Sequence, residues 1–359
     1  MLRLTVWVTR TEHTSSGHAF VVQSESQRSK LGISGQSLVS RAAQVTAVHR
    51  VPQTASWDIP SRSNVCAVVV THNPTPEFEN NICALITQLE QVIIVDNESS
   101  QTSRHFVENI AATYKIETIW SQQNLGIASA LNAGIDRAMV TDECRWILML
   151  DQDSQVPPDF VETIANAYEA CPFKDKVALI GANYKLAFRP LHKLRAQRDN
   201  QTFRDVVTLM TSGTVVKRSV LMDCGRLDES FFMDYVDHDF CLRVRRHGLR
   251  IIQANNAILQ HQLGTPTLHR LFGKYFTTPN YSPNRRYHNA RNRIIVYRRY
   301  FYHETSWIVC DCFRWFREAL KMILVEHDRN RKLRSIARGV LDGFKAAKWS
   351  RYSGASTHN

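Results

Sequence analysis

The sequence predicts an α/β protein with a mostly parallel sheet, helices on both faces of the sheet, and a C-terminal helical segment. Short apolar runs alternate with segments of helical periodicity between residues 65 and 180, a pattern typical of strands that are connected through helices. The runs are continuously apolar, which favours strands that are buried on both faces. After residue 263 only helical periodicity remains.

Five apolar runs are the predicted strands of the sheet. They are Val65–Val70, Gln91–Val95, Ile116–Trp120, Trp146–Leu150 and Val177–Ile180. Between the first two runs, apolar residues such as Phe78 and Ile82 recur at helical spacing, so a helix is predicted there. The same spacing predicts helices around Ile110, around Leu131 and over about 157–168.

The strand pattern weakens after Tyr184 and ends before Leu263. We predict a strand within Val206–Val216 and then a helix that ends at Gly248. Two further short strands are predicted at Ile251–Gln253 and Ala257–His261. Beyond Leu263 we expect two amphipathic helices and no strands.

The composition argues against several classes of protein. An apolar fraction of 43% in 359 residues is enough for a large core, and no apolar run approaches the roughly 20 residues that span a bilayer. Leu4–Val8 is too short for the apolar region of a signal peptide, so we expect a protein of the cytosol or of a cytosolic membrane face. The eight cysteines form no CxxC pair, which favours reduced cysteines over a zinc site or disulfides.

The positive charge is concentrated at the C-terminal end. Residues 1–63 carry 7 basic and 3 acidic side chains, residues 64–280 carry 21 and 24, and residues 281–359 carry 17 and 6. The net charges are therefore +4, −3 and +11, which together give the +12 of the chain. Such a basic block favours a phosphate-bearing partner, either nucleic acid or anionic lipid.

Polar residues follow the predicted strands of the first half, at the point where each strand ends. They are Thr71, Asn73, Asp96, Asn124, Asp151 and Asp153. Because ligands bind at the carboxyl ends of strands in open α/β sheets, four such ends in succession predict a nucleotide-binding rim. The sequence has neither GxGxxG nor GxxxxGK[ST], which argues against a dinucleotide enzyme and a P-loop ATPase.

Asp151 and Asp153 are the predicted metal ligands of this rim. Two carboxylates that follow a buried strand require water or a cation beside them, and hard oxygen ligands suit Mg²⁺ or Mn²⁺ on a substrate phosphate. An Asp-rich turn after the strand is the alternative for these residues.

Five segments of this chain, in order, resemble those of inverting family 2 glycosyltransferases of the GT-A fold. They read VVTHNP, VDNESS, NLGIASALNAG, LDQDS and FFMDYVDHDFCLR. The last segment, followed by YSPNRRYHNARN, is similar more narrowly to bacterial dTDP-rhamnosyltransferases of O-antigen and cell-wall polysaccharide synthesis. The resemblance covers roughly residues 64–300.

The resemblance also divides the chain into three parts. Residues 64–262 would be a GT-A catalytic domain, and residues 263–359 a basic, amphipathic helical region. Residues 1–63 are rich in Ser, Thr, Gln and Arg without a sustained period, so we expect a largely disordered extension.

The resemblance assigns donor binding to the residues of the rim. In the family an Asp after the second strand contacts the donor's base, and Asp96 stands at that position. Thr71 and Asn73 would border the same pocket. Asn124 and Gly126 match the segment that closes over the base and the ribose.

The resemblance assigns the metal and the base to four residues. Asp153 would bind the metal on the diphosphate, and Asp151 would face the ribose and metal-bound water. His261 is the loosest match and would complete the metal or diphosphate site; a structural histidine is the alternative. Asp237 matches the general base, although Val236 replaces the Glu that many relatives have before it.

Two alternatives apply to the acids after Val236. Asp237 and Asp239 also suit the positive end of a helix dipole. If Asp237 is the base, Asp239 is a neighbour that orients it or the helix.

The activity implied by the resemblance is transfer of L-rhamnose from dTDP-L-rhamnose to a sugar hydroxyl of a lipid-linked or growing polysaccharide, with Mg²⁺ or Mn²⁺. The alternative within the class is another nucleotide sugar, such as a UDP-sugar. A nucleotidyltransferase would carry a Gly- and Lys-rich phosphate loop, and none is found near the first strand. The basic C-terminal block leaves a nucleic-acid-binding protein as a rival, whose affinity would fall steeply with salt; we expect no nucleic-acid partner.

Two C-terminal helices are predicted to contact a membrane. Their apolar faces contain Val309, Phe313, Phe316, Leu320 and Ile323 in the first, and Leu333, Ile336, Val340 and Phe344 in the second. Basic residues such as Arg314, Arg317 and Lys321 border the first face. This pattern suits a helix that lies in an anionic membrane surface, so we expect a peripheral protein on the inner face of the cytoplasmic membrane. Packing of both faces against the catalytic domain is the alternative.

Overall fold

A nine-stranded mixed sheet is the centre of the structure, a computed structural model that describes residues 58–186, 201–261, 267–271 and 274–346. Its strands are β1 (Val65–Thr71), β2 (Gln91–Asn97), β3 (Glu117–Ser121), β4 (Trp146–Asp151), β5 (Ser154–Gln155), β6 (Val177–Leu186), β7 (Phe203–Asp205), β8 (Thr214–Lys217) and β9 (Arg250–His261). Their order is β3-β2-β1-β4-β8-β6-β9-β5, and β7 pairs with β9.

Six of these nine strands point in one direction, namely β1 to β4, β6 and β9. The other three, β5, β7 and β8, run antiparallel to their neighbours. The predicted α/β class with a mostly parallel sheet is therefore confirmed.

Helices cover both faces of the sheet. They are α1 (Glu77–Ile86), α2 (Gln101–Tyr114), α3 (Ile127–Ala138), α4 (Phe160–Glu169), α5 (Arg218–Asp223) and α6 (Val236–Arg246). Successive residues of β1 point to opposite faces, so Val68 packs in a core with α3 and α6, whereas Val69 packs in a second core with α1 and α4. Every residue of β1 is buried, which explains why its sequence is continuously apolar.

The parallel strands place their polar ends at one edge of the sheet. Thr71 pairs in register with Asp96 of β2, and Val70 pairs with Asp151 of β4. Each of these strands ends within two residues of its predicted end, because the apolar run and the polar residues after it mark the boundary.

Two predicted strands have different bounds in the structure. The strand expected within Val206–Val216 begins only at Thr214. Ile251–Gln253 and Ala257–His261 belong to one strand, β9. The residues between them are polar but remain in the sheet, because buried Asn255 donates a 2.8 Å hydrogen bond to the carbonyl of Gln201.

An antiparallel hairpin follows β9, with strands β10 (Thr267–Leu271) and β11 (Lys274–Thr278). The prediction of no strands beyond Leu263 is therefore wrong. The hairpin is a separate two-stranded sheet, so its short strands lack the apolar runs of the central sheet.

Three helices form the described C-terminal part, α7 (Pro283–Tyr300), α8 (Thr305–Val325) and α9 (Arg329–Lys345). Glycine allows α9 to approach α7 closely, because a Cβ atom at Gly339 would lie 2.4 Å from the carbonyl oxygen of Tyr287. Buried Glu326 accepts hydrogen bonds from Arg286 and Lys332, at 3.1 Å and 2.9 Å. Among the described residues, the longest helices are too polar or too short to span a bilayer.

The predicted disordered extension, residues 1–63, lies outside the described residues except for 58–63. Residues 347–359 also lie outside them. The description of the C-terminal region therefore ends with α9.

Candidate active site

A cavity of about 260 Å³ opens at the carboxyl edge of the sheet. Four of the residues predicted to bind the donor line it, namely Thr71, Asn124, Gly126 and Asp151. A larger cavity of about 520 Å³ lies near Gln91 and Glu117, where β2 and β3 begin. None of the predicted site residues lines this second cavity.

Asp96 is fully buried next to Thr71 and carries an oxygen without a partner. Its Oδ1 accepts a 3.0 Å hydrogen bond from the backbone N–H of Ser99, whereas its Oδ2 has no hydrogen-bond partner among the described residues. A buried carboxylate oxygen without a hydrogen bond is costly. Such an oxygen is suited to accept a hydrogen bond from an N–H group of a ligand.

Thr71 and Asn73 connect the ends of neighbouring strands. The hydroxyl of Thr71 donates a 2.9 Å hydrogen bond to Oε1 of Gln152, beyond β4. Asn73 Oδ1 accepts from the backbone N–H of Ser100 at 2.8 Å, and the Asn73 N–H donates to Ser99 Oγ at 2.8 Å. Asn73 therefore fastens the loop after β1 to the loop after β2, and it is not among the residues that line the cavity.

Asn124 and Gly126 form a tight connection between β3 and α3. Asn124 Oδ1 accepts hydrogen bonds from the Gly126 N–H at 3.0 Å and from Asn97 Nδ2 at 3.1 Å. Gly126 has a φ of 86°, and a Cβ atom there would lie 2.3 Å from the carbonyl oxygen of Phe232. That carbonyl also accepts a hydrogen bond from the Ile127 N–H. Glycine is required here because two site segments touch.

Asp151 and Asp153 flank a residue that is held firmly. Gln152 Oε1 accepts from the backbone N–H of His72 at 2.7 Å, in addition to Thr71, and its carbonyl oxygen accepts from Asn81 at 2.9 Å. The Asp151 N–H donates to Ser212 Oγ at 3.0 Å. Asp151 is half-buried and Asp153 is exposed. The backbone of this segment is thus fixed, while a carboxylate remains accessible.

The two carboxylates fit a metal that a substrate helps to hold. Among the described residues, no three His, Cys, Asp or Glu side chains form a complete metal site. Mg²⁺ is usually bound through one or two carboxylates, water and substrate phosphates, and not by a full set of protein ligands. Asp151 and Asp153 at an open sheet edge meet that requirement.

His261 is the last residue of β9, and its backbone pairs with Ser154. This places its backbone beside the segment of Asp151 and Asp153. The His261 side chain, to which the predicted metal role refers, lies outside the described part of the structure.

Asp237 lies in the first turn of α6, and its side chain is 23% exposed. Its Oδ1 accepts a 2.8 Å hydrogen bond from the backbone N–H of His238. Burial raises the pKa of Tyr184, and the negative charges of Asp237 and Asp151 raise it further. Phe232 and Met233 line the cavity, and α6 begins three residues after Met233. Asp237 therefore follows a segment that lines the cavity, although it is not itself among the lining residues.

Asp239 has a different environment from Asp237. Its carboxylate is buried and accepts hydrogen bonds from Arg299 at 2.7 Å and from the Tyr300 hydroxyl at 3.1 Å. Arg243 completes an ion pair with it at 3.7 Å. Asp239 therefore fastens α6 to α7, and of the two acids only Asp237 is accessible to solvent.

Sequence analysis missed several residues that shape the site. Gln152, Ser212 and Tyr184 fix the segment of the paired carboxylates, since Tyr184 donates a 2.6 Å hydrogen bond to the Ser212 carbonyl. Phe232 lines the cavity. Two of these residues had a signal in the sequence, namely Gln152, which stands between two acids, and Phe232, which belongs to the segment FFMDYVDHDFCLR.

Arg285 is a further cation on this side of the molecule that was not predicted. It donates a 2.9 Å hydrogen bond to Asp234 and lies 4.1 Å from the ring centre of Tyr281. Burial disfavours its charge, but Asp234, Tyr281 and Asp151 together raise the pKa of Arg285. Its signal was the basic segment YSPNRRYHNARN.

Two family models match the chain. The model described as glycosyl transferase family 2 matches residues 66–225. The model described as glycosyl transferase family group 2 matches residues 146–338, which is more than half of the chain.

Two curated proteins are similar in sequence. The dTDP-rhamnosyl transferase RfbF of Shigella flexneri is 29% identical over 255 residues, which are 66% of this chain and 81% of that protein. The low-salt glycan biosynthesis hexosyltransferase Agl10 of Haloferax volcanii is 23% identical over 203 residues, or 52% of this chain and 64% of that protein.

A solved structure is similar in fold, that of GalNAc-T7 with UDP, GalNAc and Mn²⁺. The TM-score is 0.51 at 11% identity, and the match covers 79% of this chain but only 56% of the other. The family models, the sheet topology and this fold lead to one conclusion: the chain belongs to the family 2 glycosyltransferases and has the GT-A fold.

Proposed function

We propose that the enzyme is an inverting rhamnosyltransferase that transfers L-rhamnose from dTDP-L-rhamnose to a sugar hydroxyl of a lipid-linked or growing polysaccharide. The observation that carries this proposal is the cavity at the carboxyl edge of the sheet, which Thr71, Asn124, Gly126 and Asp151 line together. The similarity to a dTDP-rhamnosyl transferase supports the choice of sugar and nucleotide.

The base of the donor would bind at Asp96. Its buried Oδ2 has no partner among the described residues, so it can accept the imide N–H of a pyrimidine base. Thr71 pairs with Asp96 in register and lines the cavity together with Asn124 and Gly126, whereas Asp96 is buried beside Thr71 and is not among the lining residues. These four residues would therefore enclose the nucleoside.

The diphosphate would lie at Asp151 and Asp153, which would hold Mg²⁺ or Mn²⁺ against it. A bound divalent cation neutralises charge on a departing diphosphate. Asp153 suits this role because it is exposed, and Asp151 because its backbone is fixed by Ser212. His261 is kept as a third candidate ligand, since β9 ends beside Ser154.

Asp237 would act as the general base. Its carboxylate accepts the proton of the acceptor hydroxyl while the hydroxyl oxygen forms a bond to the anomeric carbon and the bond to the diphosphate breaks. The electron pair of the broken bond leaves with the nucleoside diphosphate. One such displacement inverts the anomeric configuration, so no carboxylate nucleophile is needed.

The enzyme would work at an anionic membrane surface, on the inner face of the cytoplasmic membrane. The apolar face of α8 is exposed, with Val309 61%, Phe313 67% and Phe316 67% accessible. The buried residues of α8 lie elsewhere on the helix and include Trp307 and Asp311. This argues against packing of the whole apolar face on the catalytic domain. The apolar face of α9 is only partly exposed. Leu333 and Phe344, at its two ends, are exposed, whereas Ile336 and Val340 between them are half-buried.

A panel of nucleotide sugars tests the proposed donor. We expect dTDP-L-rhamnose, with Mn²⁺ or Mg²⁺, to raise the thermal unfolding temperature and to be hydrolysed slowly, because a ligand that binds only the folded state stabilises it. Stronger protection and faster hydrolysis with a UDP-sugar would contradict the proposal. That result would favour the second candidate, a different nucleotide sugar, for which the similarity to a hexosyltransferase is the supporting observation.

A further inference from the structure

The turn before α6 has a strained backbone. Asp234 and Tyr235 both have positive φ angles, 59° and 68°, and neither is a glycine. Side chains rarely adopt this conformation unless the surrounding structure holds them in it. The turn lies directly before the helix that carries Asp237 in its first turn.

Helix α7 holds the first part of this turn. Fully buried Asn292 donates hydrogen bonds to the carbonyl oxygens of Met233 and Asp234, at 2.8 Å and 3.1 Å. Arg285 donates to the Asp234 carboxylate at 2.9 Å. Phe232, two residues before Asp234, is held by a different segment, because its carbonyl oxygen accepts a hydrogen bond from the Ile127 N–H at 3.1 Å.

Helix α8 holds the second part through a buried carboxylate. The Tyr235 hydroxyl donates a 2.6 Å hydrogen bond to Asp311 Oδ2. Arg293 Nε donates to the same Asp311 oxygen at 3.0 Å and also to the Tyr235 hydroxyl. Tyr235 and Asp311 are 4% and 5% exposed, so water does not compete with these hydrogen bonds.

The same helix contacts the residue that follows Asp237. The Trp307 ring packs against the His238 ring with centres 5.2 Å apart, and His238 packs against Tyr235 at 5.0 Å. Asp237 therefore lies between two residues, Tyr235 and His238, that are both fixed by α8.

We propose that Tyr235, held by Asp311, is a positioning residue for Asp237. The hydrogen bond fixes the start of α6 and hence the direction of the Asp237 carboxylate toward the acceptor hydroxyl. This inference rests on the proposed role of Asp237 as the base. A displacement of about 1 Å in a reacting group can lower the rate by about 100-fold, so a loosened turn lowers turnover without a loss of fold.

A pair of matched variants tests this role, Tyr235→Phe and Tyr297→Phe. Each removes one hydroxyl that donates to Asp311 Oδ2, since the Tyr297 hydroxyl donates to it at 2.7 Å. Tyr297 belongs to α7 and not to the strained turn. The two variants therefore disturb the same buried carboxylate, but only one of them frees the turn.

Three quantities are measured. The first is kcat for the metal-dependent release of dTDP from dTDP-L-rhamnose, a reaction in which water replaces the acceptor. The others are the Kd of dTDP with Mn²⁺, from calorimetry, and the thermal unfolding temperature. Tyr235→Phe is expected to lower kcat by about tenfold or more with an unchanged Kd, because Asn292 and Ile127 still hold the part of the turn near the cavity. Tyr297→Phe is expected to lose similar thermal stability and to keep its kcat.

Equal kcat values in the two variants, or a loss of dTDP affinity that accounts for the loss of rate, would overturn the positioning role. Asp237→Asn is measured beside them to separate the two proposals. If that variant is inactive while the tyrosine variants behave alike, the positioning role alone fails. If it retains full turnover, the base assignment fails and the positioning role fails with it.

Discussion

The side chain of Gln152 accepts a 2.9 Å hydrogen bond from the hydroxyl of Thr71 and thereby joins the ends of β1 and β4 at the cavity. The same Oε1 atom accepts the backbone N–H of His72 at 2.7 Å. Gln152 stands between Asp151 and Asp153, so the middle residue of the acidic segment acts as a brace. Its side-chain carbonyl connects the end of β1, which pairs with the strand of Asp96, to the proposed metal-binding segment.

We predict that Gln152→Ala weakens donor binding by about tenfold, since the loss of two hydrogen bonds of about 1 kcal/mol each is partly recovered by water. Calorimetric titration with dTDP and Mn²⁺ measures this effect. Gln91→Ala is the matched control, because Gln91 begins β2, far from its carboxyl end. Equal Kd values for the two variants would contradict a role of the Gln152 hydrogen bonds in donor binding.

Removal of the Asp153 carboxylate tests the proposed metal site. Asp153→Ala is expected to abolish the Mn²⁺- or Mg²⁺-dependent part of donor binding and to leave thermal unfolding unchanged, because Asp153 is exposed. Asp159→Ala is the control, since Asp159 is also exposed and makes no capping hydrogen bond. Undiminished metal-dependent binding in Asp153→Ala would contradict the assignment.

The two acids of α6 are expected to fail in different ways when substituted. Asp237→Asn should lower turnover by about 10²–10⁴-fold, the usual contribution of general-base catalysis, and should keep its donor affinity. Asp239→Asn should instead lower the free energy of unfolding by about 1–3 kcal/mol, since it removes the negative charge that pairs with Arg243 and Arg299, while Arg299 keeps Asp228 as a partner. Kinetics and thermal unfolding of both proteins measure these effects. A stable Asp239→Asn protein with the lower turnover would move the base to Asp239.

Membrane attachment is expected to depend on α8. Co-sedimentation with anionic vesicles should be strong at low salt, weaker at high salt and weaker with neutral lipid, because each basic residue at the surface adds about 1 kcal/mol. The double variant Phe313→Ser/Phe316→Ser should bind about tenfold less tightly or worse. Val140→Ser is the control, since Val140 is equally exposed, at 70%, but lies beyond α3. Equal binding to anionic and neutral vesicles would contradict this mode of attachment.

The parts of the fold that sequence predicted best are the parallel strands. β1, β2 and β4 are buried on both faces, so each is a continuous apolar run whose end is marked by polar residues. The hairpin of β10 and β11 was missed because the two strands pair only with each other. β9 was divided in two because Asn255 is polar, although its side-chain N–H donates a hydrogen bond to the carbonyl oxygen of Gln201.

Of the acids proposed for the site, those at the ends of β2 and β4 were identifiable because charge after a buried strand is unusual. The residues that hold the proposed acids in place were not identifiable. Gln152 contacts Thr71, 81 positions away in the sequence, and Tyr235 contacts Asp311, 76 positions away. No periodicity in the sequence carries information about such pairs. The strained φ of Tyr235 is equally a product of tertiary packing.

The most direct test of the central claim is a competition between dTDP and UDP for the enzyme with dTDP-L-rhamnose and Mn²⁺, read as inhibition of dTDP-L-rhamnose turnover. We expect dTDP to inhibit at clearly lower concentration than UDP, and Asp96→Asn, which replaces a carboxylate oxygen at the proposed base site, to weaken inhibition by both nucleotides. Tighter inhibition by UDP than by dTDP would contradict the proposal that dTDP-L-rhamnose is the donor.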